Sequence, residues 1–141
     1  MKRAAALAML LLLIGMLPAC ATIRVYDDHG GQIGEYLAKY RALRVSGEQV
    51  VIDGTCASAC TMLLGVIPRH RICVTPRATF EFHSAWMPTA AGAEISTAGN
   101  HYLWSSYPRD IRQWISKHGG LRSQSIYLRG AELEAMYPTC P

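Results

Sequence analysis

The spacing of apolar and polar positions changes several times along the chain, and each change marks an element. In TIRVY (Thr22–Tyr26), Ile23 and Val25 take alternate positions, the spacing of a strand with one face inward. DDHGG (Asp27–Gly31) reads as a turn. From Gln32 the period lengthens: Ile33, Leu37, Tyr40 and Leu43 form one helical stripe, and Gly47 predicts where that helix stops. QVVID (Gln49–Asp53) is a short, β-rich apolar run. A helix is predicted from about Ser58 to Val66. RICV (Arg71–Val74) and TFEFH (Thr79–His83) read as two strands joined at TPRA. This alternation predicts an α/β fold, a small βαβ sheet flanked by helices.

The back third is less regular. PTAAGAEISTAGN (Pro88–Asn100) is rich in small residues and reads as a loop or the frayed start of a helix. Beyond Pro108, the residues Ile111, Trp114 and Ile115 form an apolar helical face, stopped by Gly119 and Gly120. GAELEAMY (Gly130–Tyr137) predicts one last helical piece before Pro138.

The first 19 residues change the picture, because they set the compartment. Lys2 and Arg3 precede an apolar run of 14 residues from Ala4 to Leu17, followed by small residues in LPACAT. This is the layout of an export signal, and the run falls short of the roughly 20 residues a membrane span needs. LPAC resembles the lipobox of bacterial lipoproteins, which would make Cys20 the lipidated first residue of the mature chain. ACA (Ala19–Ala21) also fits cleavage by ordinary signal peptidase, which would release the protein into the periplasm. Setting Cys20 aside leaves Cys56, Cys60, Cys73 and Cys140, an even set in an oxidising compartment, and this favours lipidation. The expected location is the bacterial cell envelope, with the protein held at the membrane surface by its lipid and facing the periplasm.

Residues 20–141 would then form a single domain of 122 residues. Without the leader, which carries two of the 14 basic residues, 12 basic residues face 10 acidic ones. No basic run or basic-aromatic stripe stands out, so nucleic acid is not an expected partner.

The candidate chemistry centres on GTCASACTMLLG (Gly54–Gly65), where Ser58 stands between two cysteines as a loop turns into a helix. A serine hydrolase needs a hydroxyl on a tight turn, a base in reach, and backbone N–H groups aimed at the developing oxyanion. Ser58 and the Ala59 N–H meet the first and last needs. His83 ends a strand, where α/β sheets place catalytic side chains. Gly30 and Gly31 follow another strand, and their missing side chains allow close approach of a substrate carbonyl. Each has a plainer reading: Ser58 as a helix N-cap, His83 bonded to a loop carbonyl, Gly-Gly as an ordinary turn.

Three segments together carry a resemblance. YDDHGGQIGEYLAKY (Tyr26–Tyr40), GTCASACTMLL (Gly54–Leu64) and RICVTPRATFEFHSA (Arg71–Ala85) stand in the order and spacing of the Clp protease proteolytic subunit, in the Clp/crotonase superfamily. His83 follows Ser58 by 25 residues, the separation that family has. The resemblance implies Ser58 as nucleophile, His83 as general base, and Gly31 and Ala59 as the backbone donors of an oxyanion hole. It also implies a β-hairpin that ends in the histidine. The CASAC version looks like a group of exported, Clp-like bacterial proteins.

The chain departs from that family in its C-terminal part, which is shortened. The triad aspartate would fall near Gln124 or Ser125, and neither is a carboxylate. Asp110 is the only aspartate after His83 and belongs to a helix away from the site. Glu81 shares the His83 face of its strand, since alternate residues point the same way. The ATPase partner of Clp proteases is cytosolic, so an exported relative would act without ATP.

Cys56, Cys60, His70 and Cys73 have spacings that would suit zinc in a cytosolic protein, but export favours disulfides, and no metal or cofactor is expected. Cys60 with Cys73 and Cys56 with Cys140 is one of three pairings open to four cysteines, and sequence does not choose among them. Trp86, Trp104 and Trp114 read as packing, although Trp86 follows His83 closely enough to border a groove. His29, His70, His101 and His118 show no base or ligand pattern. Two functions follow: a lipid-anchored serine hydrolase of peptidase type, acting on a peptide or small ester, or a catalytically inactive Clp-like envelope scaffold. A homo-oligomer is compatible with either.

Overall fold

The computed structural model describes residues 21–141, so the export segment, its cleavage site and Cys20 lie outside the described residues. Strand β1 (Thr22–Asp28) leads through the Gly30–Gly31 loop into helix α1 (Ile33–Ser46) and back to strand β2 (Gln49–Ala57), which lies parallel to β1. The predicted stripe is the inner face of α1: Tyr40 and Leu43 are buried, with Ile33 and Leu37 packed against the core. Gly47 ends the helix in the left-handed region, with φ 80°, as the αL cap requires.

The run Val50–Asp53 is buried at every position, as expected of a strand covered on both faces. β2 is the centre of a five-stranded, mostly parallel sheet that runs β1, β2, β4 (Thr79–Phe82), β7 (Ile126–Arg129), with the fifth strand, β3 (Ile72–Val74), also paired to β2. Strands β3 (Ile72–Val74) and β4 (Thr79–Phe82) follow one another along the far edge of β2, both parallel to it. The hairpin expected over Arg71–His83 is therefore corrected. Val74 and Thr79 turn through a short connection that keeps the chain running in one direction, with Ile52 beside Val74 and Thr55 beside Thr79.

After β2 come a five-residue 3₁₀ turn (Ser58–Met62) and the single α-turn α2 (Leu63–Val66), in place of one continuous helix. The segment read as a loop forms a separate hairpin, β5 (Trp86–Thr89) against β6 (Gly92–Ile95). Helix α3 (Thr97–Ser106) follows, capped by the Ser96 hydroxyl, which accepts from the Gly99 N–H. Helix α4 (Arg109–Lys117) buries the predicted face Ile111, Trp114 and Ile115. β7 (Ile126–Arg129) adds an antiparallel edge to β4, and α5 (Gly130–Glu134) closes the fold. The helices flank this mixed α/β sheet. Phe80, Phe82, Leu128, Ile111 and Ile115 pack its centre, and Phe82 meets the Tyr107 ring edge-on at 5.4 Å.

Two disulfides form, but not the pairing Cys60–Cys73 with Cys56–Cys140: Cys56 bonds Cys60, and Cys73 bonds Cys140. The C-terminal segment explains the second, because it lies along β3. Val74 donates to the Pro138 carbonyl and Cys140 to that of Val74, which brings Cys140 beside Cys73. With all four sulfurs oxidised, none is a thiolate ligand. Among the described residues no group of three or more His, Cys, Asp or Glu could hold a metal ion, and no helix is long and apolar enough to cross a membrane.

Candidate active site

The site begins where β2 stops. Ala57 is still extended (φ −109°, ψ 153°), and Ser58 then swings to φ 55°. Among the described residues Ser58 is the one non-glycine with positive φ. A left-handed L-residue costs about 1–2 kcal/mol and persists only where its surroundings over-determine it. Four features do so here. The Cys56–Cys60 disulfide spans the turn, with both residues fully buried. Tyr40 Oη donates to the Cys60 carbonyl at 2.9 Å. Thr61 Oγ1 donates to the Ser58 carbonyl at 2.6 Å. Having used its only proton there, Thr61 accepts from the buried Tyr107 hydroxyl at 2.7 Å. Burial pushes the Tyr107 phenol well above its usual range, the bond with Thr61 working the other way, and so keeps it a donor.

The fourth feature is Gly30. A β-carbon there would lie 2.7 Å from both the Ala57 carbonyl oxygen and the Ser58 Cβ, and 2.9 Å from the Ala59 nitrogen. Only glycine fits against the turn, and its φ of 81° is one that glycine adopts freely. Asp28 shapes the loop from behind. Its Oδ1 accepts from the Gly30 N–H at 3.0 Å and from the Tyr36 hydroxyl, and Lys39 lies 3.3 Å from Oδ2. Burial opposes the charge on Asp28, but these partners together hold its carboxyl below the usual value. Because the Gly30 N–H is used by Asp28, Gly31 is the residue of the pair left to face a substrate.

His83 comes directly after β4. Its Nδ1 is 2.8 Å from the Ser84 carbonyl oxygen. A carbonyl only accepts, so Nδ1 carries the proton and Nε2 is the free lone pair of the neutral ring. Ser84 is fixed in turn, its N–H donating to the Arg122 carbonyl at 2.8 Å. Ala85 N–H bonds Asn100 Oδ1 at 2.6 Å, which ties the strand end to α3.

Gly31, Ser58 and His83 line one cavity of about 870 Å³. Its remaining wall is largely apolar, with Ile33, Trp86, Met87 and Leu103. Trp86 and Met87 are exposed at its rim, 62% and 47% accessible, and so are available to a bound molecule. His29, which shows no base or ligand pattern in the sequence, is exposed and borders the same cavity. Ala59 does not line it: the residue is 1% exposed, with its nitrogen against Gly30.

The expectation that Ser58 caps a helix is corrected. The cap position is Ala57, no side-chain cap bond is made, and a left-handed φ is not the extended conformation an N-cap takes. Asp110 lies away from the site, paired with Arg69 at 2.5 Å. Near Gln124 and Ser125, where the resemblance would place an aspartate, Ser125 Oγ donates to Glu81 Oε1 at 2.6 Å. Sequence reasoning missed Asp28, Tyr36, Thr61 and Tyr107, the residues that brace the turn. Their separations, 46 residues for Thr61 and Tyr107, leave no local pattern to read.

No protein-family model and no curated protein matches the chain.

Proposed function

We propose that this chain is an exported, Clp-like serine hydrolase of peptidase type, acting without ATP through Ser58 and His83. The observation that carries the proposal is the cavity shared by Gly31, His83 and a left-handed Ser58. A packing serine has no need of such a conformation, whereas a nucleophile on a sharp turn is held clear of its own helix. In the reaction, Ser58 Oγ attacks the substrate carbonyl carbon while His83 Nε2 takes the hydroxyl proton. The oxyanion is met by the backbone N–H of Gly31, whose loop lines the cavity, while the buried Ala59 takes no part. His83 then returns the proton to the leaving amine or alcohol as the C–N or C–O bond breaks. Water hydrolyses the acyl-enzyme by the same route.

The Ser84 carbonyl orients the imidazole but carries no charge to match the imidazolium. Losing the carboxylate of a complete triad costs about 10⁴ in rate, so the expected activity is low and greatest on reactive esters. The apolar cavity wall favours an apolar acyl group. In keeping with export, we also propose lipidation at Cys20 and attachment to the envelope membrane. Labelled palmitate incorporated by the wild type and lost in Cys20→Ala is the expected result, and equal labelling of both would leave simple secretion.

A fluorophosphonate tests the chemistry. The wild type should be labelled covalently, and Ser58→Ala and His83→Ala should not. A folded wild type that takes up no label, or Ser58→Ala labelled equally, would leave the second reading, a Clp-like scaffold without catalysis. What favours that reading is the lack of a carboxylate at Gln124 and Ser125, near which the resemblance would place the acid.

A further inference from the structure

His83 is a wall between two cavities. Ser58 lies on one side. On the other is a cavity of about 370 Å³ lined by Glu81, Ser84, Glu94, Ser123 and Ser125. Glu81 and His83 are alternate residues, so they project to one side of the chain, roughly 7 Å apart along it. Phe82 pairs with Ile126 in the antiparallel β4–β7 ladder. His83 and Ser125 lie one residue beyond that pair on each strand, and both line this cavity. The Ser125 hydroxyl reaches diagonally to Glu81 Oε1 at 2.6 Å and fixes the carboxylate beside the cavity it shares with His83.

We propose that Glu81, held by Ser125, supplies the negative charge that stabilises protonated His83 during attack by Ser58. The inference rests on the hydrolase reading. Glu81 is a positioning residue acting through space, because the Ser84 carbonyl already occupies Nδ1. The proton passes from Ser58 Oγ to His83 Nε2 and on to the leaving group, the Oγ–carbonyl bond forms as the leaving-group bond breaks, and Glu81 takes no proton. The groups that face His83 are Glu81 from β4, Glu94 from β6, Ser123 and Ser125 from the segment entering β7, and His29 and Ser58 across the substrate cavity. Of the two carboxylates, Glu81 is half-buried with a fixed oxygen, while Glu94 is exposed and its carboxylate has no hydrogen-bond partner among the described residues.

The experiment measures fluorophosphonate labelling rate, and kcat and KM on p-nitrophenyl butyrate, for the full chain. Glu81→Gln should lower labelling rate and kcat about tenfold with KM unchanged, the size expected of a charge at that distance through partly screened surroundings. Glu81→Asp should recover part of the loss, Ser125→Ala should lose about threefold, and Glu94→Gln should match the wild type. A wild type labelled at Ser58 with Glu81→Gln equally fast, or slowed only through KM, would overturn the role of Glu81 and leave the hydrolase reading intact. A wild type that is not labelled at all overturns both. Should Glu81→Gln fail to fold, Ser125→Ala decides: an unchanged kcat overturns the proposal.

Discussion

Gly30 touches Ser58 so closely that no side chain fits between them: an added β-carbon would stand 2.7 Å from the Ser58 Cβ. The neighbouring Gly31 is different, since a β-carbon there would meet only the Tyr36 ring edge at 3.3 Å. Gly30→Ala should therefore push on backbone at Ala57 and Ala59 and add left-handed strain, at a cost of about 3 kcal/mol. Gly31→Ala should cost under about 1 kcal/mol. Urea unfolding of both variants compares them directly, and equal losses would contradict the contact.

Thr61 and Tyr107 separate stability from the conformation of Ser58. Thr61→Val removes the donor to the Ser58 carbonyl and leaves the buried Tyr107 hydroxyl without its acceptor. The expected loss is about 2 kcal/mol, together with slower fluorophosphonate labelling as the turn relaxes. Tyr107→Phe leaves the Thr61–Ser58 bond in place, so it should destabilise by about 1 kcal/mol and label at close to the wild-type rate. If both variants label alike, the Thr61 bond does not set the Ser58 geometry.

Much of this arrangement is legible in the sequence because it is local. The period changes around Gln32 and Gln49 mark β1, α1 and β2, and the three quoted segments bring Gly31, Ser58 and His83 forward. What escapes is non-local. β3 and β4 read as two strands joined at TPRA, and the resemblance implies that they form a hairpin, yet both find their partners on β2. The Cys73–Cys140 pair depends on the path of the chain end, which no periodicity records. β7 is a different kind of omission: Ile126 and Leu128 are buried and Tyr127 and Arg129 exposed, a period-two signal that is too short to stand alone. The Ser58 conformation is set by the burial of its neighbours, and serine's usual preference for an N-cap points the wrong way.

Asp53, on the central strand, predicts the acid limb of stability. Hydrogen bonds from Arg77 and Thr75, against the opposing effect of burial, and a further bond from Arg24 hold its carboxyl well below the usual carboxylate range. A folded-state value below the unfolded one means that the unfolded chain binds the proton first as pH falls. The contribution is then fully present at neutral pH and lost from about pH 4 downward, through the folded value. Asp28 is lowered too and acts with the same sign. Thermal unfolding from pH 7 to pH 2 should show the wild-type Tm falling below about pH 4. Asp53→Asn should start lower at pH 7 and fall less steeply, and parallel curves would exclude Asp53 as a source of the acid limb.

The two disulfides should divide stability from activity. Cys73 and Cys140 are 67 residues apart, whereas Cys56 and Cys60 are separated by four. Cross-linking restricts the unfolded chain more as the closed loop lengthens, which gives about 4 kcal/mol for the long loop and about 2 kcal/mol for the short one. The short bridge, however, spans the turn that holds Ser58 left-handed, while Cys73 and Cys140 join β3 to the chain end. Cys73→Ala/Cys140→Ala should therefore unfold at the lower urea concentration yet label with fluorophosphonate near the wild-type rate while folded. Cys56→Ala/Cys60→Ala should retain more stability and lose most of its labelling. Both quantities come from one set of samples, urea midpoint and labelling rate below the transition. If the long-bridge variant lost more of each, the short disulfide would serve packing alone and would not hold the nucleophile.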